Sequence, residues 1–194
     1  MVSRKVLGVM GGPCLDGHTS RLLNAALEGA REAGAEVERL DLARMNIHPC
    51  LACRACDTGS SCSQDDDDMV QIYRRITSVD AIILASPIFF MGVTAQTKAM
   101  IDRCQCFWVE KYVLGRRRYE GGRRPKGLFV ACAGSEKGLV FDPARHVVKA
   151  FFAAIDYEWS GEVLLPHTDD QGLEPRRLEA LSAARDAGRK LVDF

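Results

Sequence analysis

The chain has 194 residues, of which 47% are apolar and 27% charged, and its 26 basic side chains balance 26 acidic ones. Zero net charge argues against nucleic acid or an anionic membrane as the main partner, because both reward a strong positive excess. The length predicts one domain over residues 1–194 with a sizeable core, and no apolar run approaches the ~20 residues of a membrane span.

Met1-Val2-Ser3-Arg4-Lys5 leads straight into a strand-like stretch, without the apolar region and cleavage site of a signal peptide. The expectation is a cytoplasmic protein with reduced thiols. Its near-neutral charge also favours self-association.

Residues 5–10 form a short apolar run that suits a strand buried on both faces. A loop follows, Gly11-Gly12-Pro13-Cys14-Leu15-Asp16-Gly17-His18. Thr19 or Ser20 then caps a helix whose apolar residues recur at helical spacing to about Ala33, where Gly34 stops it. Residues 37–42 alternate and read as a second strand.

The next stretch, residues 46–65, carries Cys50, Cys53, Cys56 and Cys62, spaced C-x2-C-x2-C-x5-C within thirteen residues. Thiols this dense suit a metal centre, since thiolates must converge on it from a short loop. C-x2-C-x2-C is the local form of iron–sulfur ligation. Zinc is the first rival, although structural zinc sites usually join two separated ligand pairs. Free, redox-active thiols are another, and disulfides fit a secreted chain better than this one. Asp65 to Asp68 read as the acidic start of a helix over residues 69–76.

Residues 80–86 are the clearest buried strand. A loop over 87–93 follows, and Thr94 opens a helix to Cys104. Residues 107–125 fit no regular pattern. Further elements are a strand over 126–133, a helix over 141–157, a strand over 159–165 and a closing helix over 173–192. This alternation predicts an α/β fold, a doubly wound parallel sheet of five strands in the order 2-1-3-4-5 with a cysteine-rich insertion. Ligands of such sheets bind beyond the carboxyl ends of the strands.

Three loops therefore carry the candidate site. In the first, Gly11, Gly12 and Gly17 let the backbone approach an anion, and His18, Thr19 and Ser20 offer donors at a helix N-terminus. Pro13 and Cys14 complete that loop. It matches neither G-x-G-x-x-G nor G-x-x-x-x-G-K-[ST], so a monophosphate such as that of FMN fits better than a dinucleotide or triphosphate. A plain strand–helix turn is the alternative. In the second loop Pro87, Ile88, Phe89, Phe90, Met91 and Gly92 put apolar groups at a strand's carboxyl end, which suits a flat ring. Phe89 and Phe90 could equally be core or interface residues. In the third loop Gly134 and Ser135 are contacts by position alone.

Ser86-Pro87-Ile88-Phe89-Phe90-Met91-Gly92-Val93-Thr94-Ala95-Gln96-Thr97-Lys98-Ala99-Met100-Ile101-Asp102-Arg103 resembles the isoalloxazine loop and following helix of the NADPH-dependent FMN reductase superfamily. The first loop is similar to that family's phosphate loop, with Gly12-Pro13-Cys14 in place of the usual Ser-Pro-Arg and His18 where Asn or Ser is common. The cysteine run followed by acidic residues resembles the iron–sulfur flavoprotein branch. The resemblance covers most of residues 4–165. It implies a flavodoxin-like fold binding FMN and a [4Fe–4S] cluster on Cys50, Cys53, Cys56 and Cys62. It also implies a homodimer or homotetramer that exchanges electrons with a nicotinamide such as NAD(P)H, a ferredoxin or a quinone. No side chain is needed as a nucleophile.

Cys14 reads as a small filler, and Cys104, Cys106 and Cys132 as core or interface thiols. His48 borders the cysteine loop without being needed as a ligand, and His146 and His167 read as structural. Residues 111–126 hold seven basic side chains against Glu120. They read as a solvated loop or subunit contact, with an anion site as the sharper alternative.

Overall fold

The computed structural model describes residues 3–59, 61–119, 122–135 and 139–193. Five strands, β1 (Lys5–Met10), β2 (Glu36–Asp41), β3 (Ala81–Pro87), β4 (Lys126–Cys132) and β5 (Glu158–Leu165), form one sheet in the order β2-β1-β3-β4-β5. Every pairing is parallel, as the alternation with helices predicts.

Side chains alternate across the sheet because the strand period is two. Val6 and Met10 face one layer and Leu7 and Val9 the other. The first layer is covered by α1 (His18–Glu32) and α7 (Glu174–Val192). These helices cross at backbone distance: a Cβ on Gly29 would sit 1.9 Å from the Arg185 carbonyl oxygen, and one on Gly188 as close to that of Ala26. The second layer is covered by α3 (Met69–Ile76), α4 (Ala95–Arg103) and α6 (Asp142–Ala154), with α5 (Gln105–Trp108) beside them. A four-residue helix, α2 (Cys56–Gly59), lies in the cysteine loop.

Most boundaries shift by a residue, and three differences have a definite physical cause. First, α1 begins at His18, capped by the Gly17 backbone and not by Thr19 or Ser20; both hydroxyl residues are buried one turn inside. Second, the helix expected over 94–104 breaks at Cys104 and resumes as α5, which runs into a π turn over Val109–Val113. That irregular winding removes the 3.6-residue period, so no pattern was readable there. Third, α6 stops at Ala154 and not at 157, because Asp156 takes a left-handed φ of 63°.

No helix among the described residues is long and apolar enough to cross a membrane. Because all strands run the same way, the segments after β1, β2, β3 and β4 emerge at one edge of the sheet. Glycine loop, cysteine loop, aromatic loop and Gly134-Ser135 thus share that edge.

Candidate functional site

The first and second loops are tied together by backbone and threonine hydrogen bonds. The Gly11 amide donates to the Ala85 carbonyl at 2.7 Å. The Thr94 hydroxyl donates to the Gly11 carbonyl at 2.5 Å. Thr94 Oγ1 also accepts the Thr97 amide at 3.2 Å and so caps α4. A Cβ on Gly11 would meet Thr97 Oγ1 at 1.8 Å, so only glycine allows this approach. The Ile88 amide donates to Cys132 O at 2.8 Å, which fixes the second loop to the end of β4. In the third, the Thr168 amide donates to Ala133 O at 3.0 Å. Gly134 packs so close to the Asp169 carboxylate that a Cβ would sit 2.2 Å from it, and Ser135 is exposed. Residues 136–138 lie outside the described residues.

The N-terminus of α1 has no side-chain cap, and the His18 Nδ1 atom is buried without a hydrogen-bond partner. Free amides, the helix dipole and an orphaned ring nitrogen together offer a setting for an anion. The Ser20 hydroxyl is occupied, donating to Leu15 O at 2.5 Å. Cys14 corrects the expectation of a filler: it is exposed, and its thiol donates to Asp16 Oδ1 at 3.0 Å. Pro13 is exposed beside it, and Gly12 is buried against Pro87.

The aromatic loop is a tight hairpin turn. Phe89 and Gly92 exchange amide–carbonyl bonds of 3.0 Å, and the two residues between them are left-handed, with φ of 50° at Phe90 and 65° at Met91. Bulky residues rarely adopt that conformation, and each costs about 1–3 kcal/mol. The turn lifts Phe90 wholly into solvent, while Phe89 and Met91 are half exposed. None of the three is core, so the core alternative for Phe89 and Phe90 fails; an interface role stays open. A strained turn presenting apolar side chains at a sheet's carboxyl edge fits the face of a planar ring.

The cysteine loop is built differently. All four thiols line one cavity of about 420 Å³, together with Ser63, Arg103 and Cys106. Two left-handed residues, Ala52 (φ 51°) and Arg54 (φ 62°), flank Cys53. The Cys53 thiol is held below its ordinary pKa, first by the Ser63 hydroxyl, 3.4 Å from its sulfur, and then by the Ala55 amide. Burial pushes the Cys56 thiol up. Among the described residues, no three His, Cys, Asp or Glu groups converge tightly enough to hold a single ion. In a four-iron cluster each thiolate takes its own iron, so the sulfurs stand wider apart than around one zinc, where all bonds are ~2.3 Å. Four thiols on the wall of one cavity are the donor set that such a cluster takes.

The loop is clamped at its base by the acidic run. The run does open α3, as expected, but Asp67 and Asp68 also do something the sequence did not reveal. Asp68 Oδ2 accepts the Asn46 amide at 2.7 Å, and Asp67 Oδ2 accepts the His48 amide at 2.9 Å. Asp67 then pairs with Arg103, both side chains fully buried, at 2.5 Å. Burial opposes ionisation of Asp67, but donation by Arg103 and the His48 and Met69 amides outweighs it and holds its pKa below the ordinary value. The Tyr73 hydroxyl donates to the Arg103 carbonyl at 2.8 Å. No sequence signal pairs position 67 with position 103; contact across 36 residues comes only with the fold.

Cys104, Cys106 and Cys132 are buried, as expected. Cys106 adds a fifth thiol to the cavity wall. His48 lies 3.9 Å from both Asp66 and Asp67. His146 bonds to Asp142 O and His167 pairs with Asp170. In the basic segment, Lys111 pairs with Asp156 at 2.8 Å. Arg118 pairs with Glu110 and lies over the Phe107 ring. These two bases are committed to neighbours, which removes them from an anion site. Glu120 lies outside the described residues.

The strand order and the strand-end loops define a flavodoxin-like α/β fold. An NAD(P)H:quinone oxidoreductase from Methanothermobacter marburgensis has the same fold, with a TM-score of 0.75 and 24% identity over 98% of this chain and 96% of its own. The chain belongs to the NADPH-dependent FMN reductase family, whose model matches residues 4–155. An iron–sulfur flavoprotein from Archaeoglobus fulgidus is 39% identical over 99 residues, 51% of this chain and 44% of its own. One from Methanosarcina thermophila is 33% identical over 134 residues, 69% of this chain and 65% of its own. The matched segment thus spans less than two thirds of either relative.

Proposed function

We propose that the chain is an FMN-dependent oxidoreductase carrying an iron–sulfur cluster, passing electrons between NAD(P)H or a ferredoxin and an acceptor such as a quinone. The observation that carries this reading is the single cavity lined by Cys50, Cys53, Cys56 and Cys62, in a chain whose sheet bears the glycine and aromatic loops at its carboxyl edge. Family membership supports FMN, and the relatives named iron–sulfur flavoproteins support the cluster.

Gly12 to Ser20 would hold the FMN phosphate through the free end of α1, with His18 Nδ1 as a further partner. Cys14 stands where the superfamily's phosphate loop carries Arg, so His18 takes on the positive role when protonated. Pro87 to Gly92 would lie against the flavin ring, and Gly134 and Ser135 would border it. The four cysteines would hold the cluster as thiolates. A flavin exchanges one or two electrons and a cluster one, so the pair supplies conversion between the two modes. What the chain itself contributes is position, exclusion of water and local charge. The exposed Phe90, Trp108, Tyr112 and Val113 support a homo-oligomer that covers them.

Anaerobic purification tests the reading. Flavin absorbance with a broad iron–sulfur shoulder, matched by iron and acid-labile sulfide, is the expected result. Flavin without iron would replace it with a clusterless quinone or FMN reductase. Zinc without flavin would replace it with a thiol-based sensor.

A further inference from the structure

Arg103 is the last residue of α4 and is 1% exposed. A guanidinium has five N–H donors, and the contacts of four are accounted for. Nη1 donates to Asp67 Oδ2 at 2.5 Å and to His48 O at 3.0 Å. Nη2 donates to Gln64 O at 2.7 Å and Asp67 Oδ1 at 3.3 Å. The fifth donor, Nε–H, is buried with no partner. Leaving a buried donor unpaired costs about 1–3 kcal/mol, and more for a charged group. Such a group signals a partner that the protein atoms do not supply.

Arg103 stands in the wall of the four-thiol cavity. Its Gln64 O and Asp67 carboxylate contacts belong to the limb that returns from Cys62 to α3, and its His48 O contact to the limb that enters the loop before Cys50. Cys62 is also the thiol set apart from the compact C-x2-C-x2-C run, so it depends most on that limb for its position. Burial works against the Arg103 charge, but Asp67 first and Cys62 next raise its pKa above the ordinary value. Cys62 and Arg103 line the same cavity.

We infer that Arg103 is the positioning residue of the metal centre: it seats the Cys62 limb through Nη1 and Nη2 and points Nε–H at the sulfur of a cluster ligated there. This rests on the cluster reading above. A donor and a positive charge beside ligand sulfur favour the reduced, more negative state, so Arg103 raises the cluster's reduction potential. Both effects come from one side chain, and Asp67 holds it in register.

The test uses the full chain, reconstituted anaerobically with iron and sulfide. R103K keeps a charge near Asp67 but loses Nε–H. It should load less iron than wild type, and in the loaded fraction the one-electron reduction equilibrium should fall about tenfold, which is 59 mV. D67N weakens the seat but keeps Nε–H, and its potential should fall less. An R103K potential equal to wild type, with iron and sulfide bound, overturns the inference and leaves the cluster reading standing. A wild-type chain that binds no iron overturns both. If R103K fails to fold by circular dichroism, the wild-type chain labelled with ¹⁵N-arginine decides. One solvent-protected Nε–H signal should shift when cadmium is loaded on the thiols, and an unmoved signal overturns the assignment.

Discussion

The aromatic loop and the cysteine loop leave the same edge of the sheet, but they are secured by different means. The first is fixed by backbone bonds, Phe89 to Gly92 within the turn and Ile88 to Cys132 at the end of the neighbouring strand, and by the Thr94 tie to Gly11. The second has few such bonds and depends on one buried ion pair, Asp67–Arg103, drawn from opposite ends of two helices. The difference shows that a short loop next to a strand inherits the order of the sheet, whereas a long insertion needs its own anchor. A single side chain then bonds both limbs of the loop, at His48 O and Gln64 O.

The sharpest way to separate the two regions is to remove a thiol. Cys56→Ser should abolish iron binding while FMN content stays within about twofold of wild type, as measured by iron assay and flavin absorbance; parallel loss of both would make the regions one unit. Next in size is the anchor. Asp67→Ala strands a buried guanidinium and should cost about 3–5 kcal/mol in urea unfolding. Loss of under ~1 kcal/mol would show that the loop does not hang on this pair. The same pair sets an acid limit. Asp67 has a folded pKa below its unfolded value of ~3.9. Its contribution is therefore complete above about pH 4 and is lost as pH falls through the folded value. Asp67→Asn should flatten that part of the stability profile, and an unchanged acid limb would assign it to other carboxylates.

On the aromatic side, Thr94→Val removes the α4 cap and leaves Gly11 O without its donor. About 1–3 kcal/mol of stability should be lost, along with tight FMN binding; thermal scans with and without FMN measure both. His18→Ala should weaken FMN several-fold by fluorescence titration, and an unchanged constant removes His18 from the phosphate site. The smallest effect belongs to the strained turn. Phe90→Gly relieves a left-handed phenylalanine and should stabilise the flavin-free chain by about 1 kcal/mol while weakening FMN. A loss of stability instead would mean that the ring packs somewhere.

These regions also differ in how much of them could be read from sequence. The sheet order followed from short apolar runs alternating with amphipathic helices, and Ser86 to Arg103 carried the aromatic loop almost whole, because the residues that form it are contiguous. Cys50, Cys53, Cys56 and Cys62 were legible as a set for the same reason. Asp67 and Arg103 were not. An aspartate run before a helix has an ordinary explanation in the macrodipole, which hid its second role. The arginine lay within a recognisable segment whose pattern says nothing of a partner 36 positions earlier. Residues 107–125 fitted no pattern, in part because the π turn over Val109–Val113 has no stable period.

The wide sequence separation of that ion pair bears on the order of events during biosynthesis. When the cysteines leave the ribosome, Arg103 has not yet been made, and the loop has nothing to close on. The closed shape of the loop needs β3 and α4 in place, so a truncation before Arg103 should leave the cysteine segment open even where the thiols are intact.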